Sequence, residues 1–561
     1  MLSDIKLSLL QQLVYNASNE ELIWTKGYLA GFLDKHAGLL PTGLSSEVTV
    51  KPIIIYGTET GNSKKVASGL LANFKKNKIQ AKAIDVFQYD LAKLAKEDIV
   101  LFVMSTQGEG EFPQNAVAFY DALQASDAHF SQLRYAVFGL GDSSYPLFCN
   151  AGLLLDELLE KKGAVRLLPL VKSDVDYSES VAVWEKDLQS VLRNQISVTA
   201  APTVLSTSVQ KKNYTGIINH KVILNDRGSN KETFHIEITS DDVIHYEPGD
   251  AIGIIPKNDS HIIGIIAGYF KEDVENNVTI GDETNTIKRW LSRRNLSGLS
   301  RRSLSQMANY FEAEITEERA DLVDILEKYP LADKAGIANL IALLLPVPPR
   351  LYSISSAFDA HDGQVHLTVN LHKFKVGNQV KTGLASQFLA EFPLNENIEF
   401  YIHKNPNFRL PSDDTDIIMI GPGTGIAPFR SFIAQRDSAG AEGKNWLFFG
   451  EQHFVTDFYY QTEIQDWLTS GVLTKLDVAF SQDQNEKIYV QNRILENAKD
   501  FNQWLDNGAS LYICGQKAPM STDVENAIIE VISLERNIDI GEAKAFLEKL
   551  EAEGRYQKDV Y

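Results

Sequence analysis

Hydrophobic and polar positions change rhythm several times along the chain, and each change predicts an element. Leu2, Ile5, Leu9 and Leu13 recur at helical spacing, and Ser18 with Glu21 then forms an S-x-x-E capping box ahead of Leu22-Ile23-Trp24. Two short amphipathic helices are expected, and a pair this small buries its apolar stripe only against another domain or a copy of itself. From Lys51 to about Arg193, short β-branched runs alternate with helical stretches; the runs are Ile53-Ile54-Ile55-Tyr56, Ile99 to Met104 and Ala136-Val137-Phe138. That alternation predicts a parallel sheet with helices on both faces. Ile196 to Gln210 is rich in Ser, Thr, Ala and Pro, has few charges and no helical period, and reads as a linker.

Tyr214 to about Asp259 and Gln364 to Arg409 read as alternating strands punctuated by Gly, Pro and Asn, the pattern of an antiparallel barrel. Between them, about Ser260 to Leu345 is dominated by helical periodicity and is expected to be an insertion in the barrel. From Asp416 onward the strand-helix alternation returns, with Ile417 to Ile420, Trp446 to Phe449, Leu476 to Phe480 and Leu511-Tyr512-Ile513 as parallel strands. The expected architecture is multidomain α/β plus β-barrel. Its parts are a helical segment 1–48, a doubly wound domain 49–195, a linker 196–212, a barrel 213–412 with a helical insertion at about 260–345, and a nucleotide-binding α/β domain 413–561. No repeat of solenoid period is present.

Composition narrows what such a chain does. Its 561 residues suit roughly three or four domains. Lysine and arginine number 54 against 74 acidic residues, a formal charge of −20, which disfavours nucleic acid and anionic lipid and favours a partner with basic patches. No apolar run approaches the roughly 20 residues needed to cross a bilayer, and Met1 to Val14 lacks the basic start, apolar stretch and cleavage site of a signal peptide. The chain is therefore expected in the cytoplasm. Only Cys149 and Cys514 occur, which excludes a disulfide scaffold, a self-contained iron–sulfur cluster and an all-cysteine zinc site. No metal is expected, and redox chemistry here must use an organic cofactor.

The first strand runs into Gly57-Thr58-Glu59-Thr60-Gly61-Asn62-Ser63 ahead of a helix, where hydroxyls and free backbone N–H groups make a phosphate cradle. The spacing fails that of a P-loop, because the glycines are four apart and no Lys-Ser/Thr pair follows. The next two strand ends carry Ser105-Thr106-Gln107-Gly108-Glu109-Gly110-Glu111 and Gly139-Leu140-Gly141-Asp142-Ser143-Ser144-Tyr145, with Phe148 and Cys149 just beyond. Three glycine-rich loops thus leave one carboxyl edge of one sheet, where open α/β folds bind ligands. Tyr145 can stack on a flat ring, and Glu109, Glu111 and Asp142 discourage extra negative charge on it. Further on, Arg350 and Tyr352 of Pro349-Arg350-Leu351-Tyr352-Ser353 share one face of an extended strand. An arginine there can hold a pyrophosphate, an aromatic can stack, and the Ser353 hydroxyl can reach ring-edge atoms. Lys381-Thr382-Gly383-Leu384-Ala385-Ser386 precedes a helix, and Gly421-Pro422-Gly423-Thr424-Gly425 puts small residues at a strand-to-helix turn.

The three polar loops resemble flavodoxin and, as a trio, the FMN domain of diflavin reductases. The R-x-Y-S strand and the Gly383 to Ser386 loop resemble the FAD barrels of the ferredoxin reductase superfamily, and Gly421 to Arg430 resembles its nicotinamide-nucleotide loop. From Glu21 to Tyr561 the chain is similar to the flavoprotein (alpha) subunits of assimilatory sulfite reductases, an assignment supported by Lys444-Asn445-Trp446-Leu447-Phe448-Phe449-Gly450 and by the terminal Tyr561. The resemblance implies FMN held by Thr58, Glu59, Thr60, Gly61, Asn62, Ser63, Ser105, Thr106, Gln107, Gly108, Leu140, Gly141, Asp142, Tyr145, Phe148 and Cys149. It implies FAD held by Arg350, Tyr352, Ser353, Gly383, Ala385, Ser386 and Tyr561, and NADPH held by Gly423, Thr424, Ser481, Gln482, Lys487, Tyr489 and Gln491. Ser353, Cys514 and Asp559 would orient hydride transfer, and Tyr561 would cover the FAD ring until nicotinamide displaces it. Relatives usually carry Arg where this chain has Gln482, which weakens the expected grip on the 2′-phosphate, and often Asp after the Cys-Gly pair where it has Gln516.

The implied function is passage of electrons from NADPH through FAD and FMN to a separate haemoprotein (beta) subunit, since this chain lacks the thiolates for a sirohaem–iron–sulfur centre. Leu22 to Leu33 resembles the family's assembly segment and implies a homo-oligomer. Two alternatives stay open on these residues alone: a diflavin reductase serving another acceptor, and a non-catalytic flavin-binding assembly module.

Overall fold

A computed structural model describes residues 51–194, 205–207, 212–311, 314–332, 336–376 and 379–561. The expected helices of segment 1–48 lie outside the described residues. Three sheets organise the rest.

The first sheet is parallel, in the order Lys82–Asp85, Ile53–Gly57, Ile99–Ser105, Arg134–Leu140, Val171–Ser173, with Val165–Arg166 also beside Arg134–Leu140. Its central strands read as unbroken apolar runs because both faces are covered, by helices Asn62–Lys76, Gln114–Ala125, Asn150–Lys161 and Ser178–Asn194. Ile53, Ile55, Phe102 and Val137 pack against Phe119, Leu155 and Leu159 in one core. Within the stretch expected to be linker, Leu205–Thr207 instead adds a parallel edge strand to Val171–Ser173. Extended backbone beside an open sheet edge finds a ladder of unpaired N–H and C=O groups to pair with.

The second sheet is antiparallel, in the order Arg350–Ser353, Ala251–Ile254, Asn397–His403, Asn213–Ile223, Thr233–Thr239, Val365–Asn370. An Ile354–Leu367 bridge joins its two ends and closes it into a barrel, filled by Ile218, Ile236, Ile252, Leu367 and Phe400. Between its strands, helices Ser260–Tyr269, Ile287–Leu291, Arg301–Met307, Leu322–Lys328 and Ile337–Leu343 gather around Ile263, Leu291, Leu304, Met307 and Leu340. The insertion also contains a hairpin, Asn277–Ile280 with Glu283–Thr286, turning at Gly281 with φ 60°.

The third sheet is parallel, in the order Lys475–Phe480, Asn445–Glu451, Ile417–Ile420, Ser510–Gly515, Tyr556–Val560. Its last strand is the C-terminal tail, which is paired rather than frayed: Leu511 to Gly515 lie opposite Tyr556 to Val560.

Arg430, on helix Ile426–Ala439, joins this sheet to the barrel. The residue is only 5% exposed; its guanidinium makes a two-pronged pair with Glu463 (2.6 and 2.7 Å), donates to the Ser355 carbonyl at 2.8 Å, and meets His366 Nδ1 at 3.2 Å. The guanidinium also lies over the Tyr460 ring, 4.8 Å from its centroid. His366 and His235 stay neutral because burial and then the Arg430 charge depress them, to about 2 and about 3. Arg430→Ala should lower the urea midpoint by the equivalent of about 2–3 kcal/mol, below the range for a wholly buried pair because Glu463 keeps access to water. Arg430→Lys should recover less than half of that, since an ammonium cannot serve Glu463, Ser355 and His366 together.

Candidate active site

The loops after the first sheet are built as an anion and ring cradle. Gly61, with φ 90°, precedes helix Asn62–Lys76, and its N–H donates to Thr58 Oγ1 at 2.9 Å, so the turn holds itself open. Ser63 is fully buried and its hydroxyl has no partner among the described residues, a donor fit for a phosphate oxygen at a helix start. Thr106 N–H pairs with the Leu140 carbonyl and Gly141 N–H with that of Ser173, which ties the second and third loops together. Gly141 must be glycine, because a Cβ would lie 2.9 Å from the Cys149 backbone nitrogen. The Cys149 thiol points to the Gly139 and Ser173 carbonyls at 3.4 and 3.5 Å, and burial pushes it up to about 12. Cys149 therefore shapes the loop through its backbone and packing, with its thiol engaged inside the protein.

These loops face the barrel across one cleft of about 2210 Å³. The Tyr145 hydroxyl donates to the Pro349 carbonyl at 3.3 Å, and burial raises that phenol while the neighbouring Arg350 charge pulls the other way. Arg350, Tyr352 and Ser353 line the barrel side, with Gly383, Ala385 and Ser386 at the start of helix Leu384–Glu391. Lys381 is not free for an anion, because Asp321 and Asp324 hold its ammonium at 2.6 and 2.7 Å.

Ser353, Cys514 and Asp559 come together although they are far apart in the chain. Ser353 Oγ donates to Asp559 Oδ2 at 3.0 Å, Cys514 Sγ lies 4.0 Å from the same oxygen, and Asn405 Nδ2 reaches Oδ1 at 3.5 Å. Cys514 and Asp559 are opposite one another on paired strands, which fixes their distance. Burial raises the Asp559 carboxyl against the pull of the Ser353 bond, and burial with the Asp559 charge keeps the Cys514 thiol far above its ordinary value. Asp559 and Cys514 sit behind the cleft wall, to which Tyr561 contributes. The Tyr561 hydroxyl bonds Thr424 Oγ1 at 2.7 Å, and its N–H donates to the Gly515 carbonyl at 3.1 Å.

On the nucleotide side, Gly425 packs against strand Ser510–Gly515 so closely that a Cβ would meet the Cys514 carbonyl at 2.2 Å. Gly423, Thr424, Ser481, Gln482, Lys487, Tyr489 and Gln491 all line the cleft; Gln482, Lys487 and Tyr489 are exposed. Of the remaining expected residues, Thr58, Gly61 and Ser63 lie within the first loop and helix start, and the others line the cleft. Sequence reasoning missed Asn405, Lys517, Lys231 and Glu451. Lys517 pairs with the Glu59 carboxylate and donates to its carbonyl at 2.9 Å, while its own N–H donates to the Tyr561 carbonyl at 2.9 Å. No local pattern marks these residues, because each acts across a contact between separate sheets.

Family models for flavodoxin, an FAD binding domain and an oxidoreductase NAD-binding domain match residues 54–184, 291–388 and 419–526. A sulfite reductase [NADPH] flavoprotein alpha-component of Bacillus subtilis (strain 168) is 36% identical, covering 99% of this chain and 97% of the relative. Those of Vibrio cholerae serotype O1 and Zymomonas mobilis are 37% and 36% identical, covering 100% and 99% of this chain and 96% and 98% of theirs. The chain belongs to the sulfite reductase flavoprotein alpha-component family. A flavodoxin module with FAD-binding and NAD-binding modules makes it a diflavin oxidoreductase, as the three loop sets had implied.

The raised Asp559 carboxyl has a consequence for stability. Its folded value lies above the unfolded value of about 3.9, so folding takes up a proton between the two, and stability falls as pH rises through that interval. Above the folded value the loss is complete and constant. Asp559→Asn keeps an acceptor for Ser353 and removes the ionisable group. Its thermal midpoint should change less with rising pH than the wild type's; a parallel pH dependence would show that Asp559 ionises in the fold without cost.

Proposed function

We propose that this chain takes a hydride from NADPH at the cleft between barrel and third sheet and passes electrons singly, through FAD and then FMN, to a sulfite reductase haemoprotein subunit. The observation that carries the reading is convergence: the three flavodoxin-type loops, the R-x-Y-S strand, Tyr561 and the Gly421 to Gly425 turn border one cleft. Flavins supply the chemistry, since they accept a hydride yet release single electrons.

The chain's residues supply placement. Backbone N–H groups of the Thr58 to Ser63 loop, with the Ser63 hydroxyl, would hold the FMN phosphate, and Tyr145 would pack against the flavin. Arg350 and the Gly383 to Ser386 helix start would hold the FAD pyrophosphate, and Tyr352 and Tyr561 would pack against the flavin. Ser353, Cys514 and Asp559 orient the transfer, with Asp559 holding the Ser353 hydroxyl at 3.0 Å. Ser481, Lys487 and Tyr489 would hold the 2′-phosphate; the exposure of Lys487 and Tyr489 supports this. The cytoplasm is the proposed setting, and the segment 1–48 the proposed means of self-association. No helix among the described residues is long and apolar enough to cross a membrane.

Anaerobic stopped-flow mixing of the flavin-loaded protein with NADPH should bleach both flavins, NADH doing so more slowly. No bleaching by either nucleotide would sink the reading. Asp559→Asn should slow hydride transfer by roughly 10²-fold, the scale for a misplaced reacting group. Electron delivery to a purified sulfite reductase haemoprotein should weaken as salt rises, because the FMN loops are acidic; salt-independent delivery would count against that partner surface.

A further inference from the structure

Glu451 ends strand Asn445–Glu451 beside the turn that the NADPH reading assigns to the dinucleotide. A Cβ at Gly423 would lie 3.4 Å from Glu451 Oε1, so the carboxylate is in van der Waals reach of that turn. The turn leads into the fourteen-residue helix Ile426–Ala439, whose N-terminal end attracts anions. A lone carboxylate here opposes the field of that helix and repels a pyrophosphate.

The carboxylate is not left alone. Lys231, which precedes barrel strand Thr233–Thr239, reaches across and places Nζ 2.6 and 2.8 Å from the two Glu451 oxygens. The Tyr459 hydroxyl donates to Oε1 at 3.0 Å and Gln452 N–H to Oε2 at 2.7 Å, so Glu451, 8% exposed, is fully engaged. Lys231, Glu451, Gly423 and Thr424 all border the cleft, where Lys487 is the other lysine on the nucleotide side among the described residues.

We propose that Lys231 is a positioning residue for the nicotinamide dinucleotide: by neutralising Glu451 it lets the pyrophosphate settle on the Gly421 to Gly425 turn. The ammonium acts through the carboxylate. Removing Lys231 therefore exposes the pyrophosphate to an uncompensated charge, and removing both charges restores a neutral site. The loop that carries Lys231 does not depend on it for its position. Asn225 and Ser229 bond Asp457 Oδ1 at 2.8 and 2.6 Å, and Asp226 N–H donates to the Thr456 carbonyl at 2.9 Å.

This inference rests on the NADPH reading, and calorimetric titration of the flavin-loaded full chain with NADP⁺ separates the two. Lys231→Ala should raise Kd roughly tenfold, equivalent to about 1.4 kcal/mol. Glu451→Gln should leave Kd unchanged or lower it, and the double variant should return to within about twofold of wild type. Lys231→Arg should stay within about threefold. Turnover at saturating NADPH with an artificial one-electron acceptor should be unchanged while KM follows Kd. Thermal midpoint and flavin content of each variant guard against a folding defect, with Lys231→Gln as the alternative truncation. A double variant as weak as Lys231→Ala would overturn the proposal by showing that Lys231 contacts the nucleotide itself or props the site. An unaffected Lys231→Ala would also overturn it. Failure of the wild type to bind NADP⁺ would overturn the NADPH reading and this proposal together.

Discussion

One buried guanidinium ties the barrel to the third sheet. Arg430 stands on the helix that begins directly after the Gly421 to Gly425 turn, and its Nη1 holds the carbonyl of Ser355, two residues beyond Ser353. The bond therefore fixes the distance between the nucleotide turn on one sheet and the serine on another. The barrel and the third sheet share no strand ladder, so side chains hold most of this distance. A planar group that donates in several directions can do this at a buried site, and the Tyr460 ring and neutral histidines around it keep the charge from meeting a second cation.

The same need to cross between sheets explains what could be read from the chain and what could not. Strands such as Ile99–Ser105 and Asn445–Glu451 announce themselves as apolar runs, because burial on both faces leaves no choice of residue. The glycine-rich turns are legible for a related reason: Gly141 and Gly425 sit where a Cβ would strike backbone. Periodicity did not reveal the Asn277–Thr286 hairpin, too short for an alternation to stand out, or the tail strand Tyr556–Val560, whose polar residues gave no apolar run. Within the site, Ser353 and Asp559 were named through family resemblance, while Asn405, Lys517 and Glu451 carried no local signature. Their roles arise from tertiary contacts that no spacing along the chain encodes.

Electrostatics divides the cleft into two regimes. Around Asp559 and Cys514, burial disfavours charge, so carboxyl and thiol are both pushed toward their neutral forms. At the rim, charges are kept and paired. Burial alone would raise the Glu59 carboxyl, but the Lys517 hydrogen bond, the Gln114 N–H and the Lys517 charge outweigh it and leave the group below its ordinary value. A buried, neutral centre within a charged rim would suit hydride transfer, which gains nothing from nearby water.

The acidic loops of the first sheet already have partners inside the chain. Glu59 is held by Lys517, Glu109 by Asn295 and by Ser303 at 3.3 Å, and Asp142 lies 3.6 Å from His403. A redox partner that recognises this acidic face must displace them. The barrel and third sheet are thus a tethered competitor for the surface that an external acceptor would use, present at the high local concentration that a short connection imposes. Acceptor affinity for the whole chain is then the intrinsic affinity reduced by the fraction of molecules in which that face is open, so a flavodoxin part freed from its tether would bind the acceptor more tightly than the intact protein does.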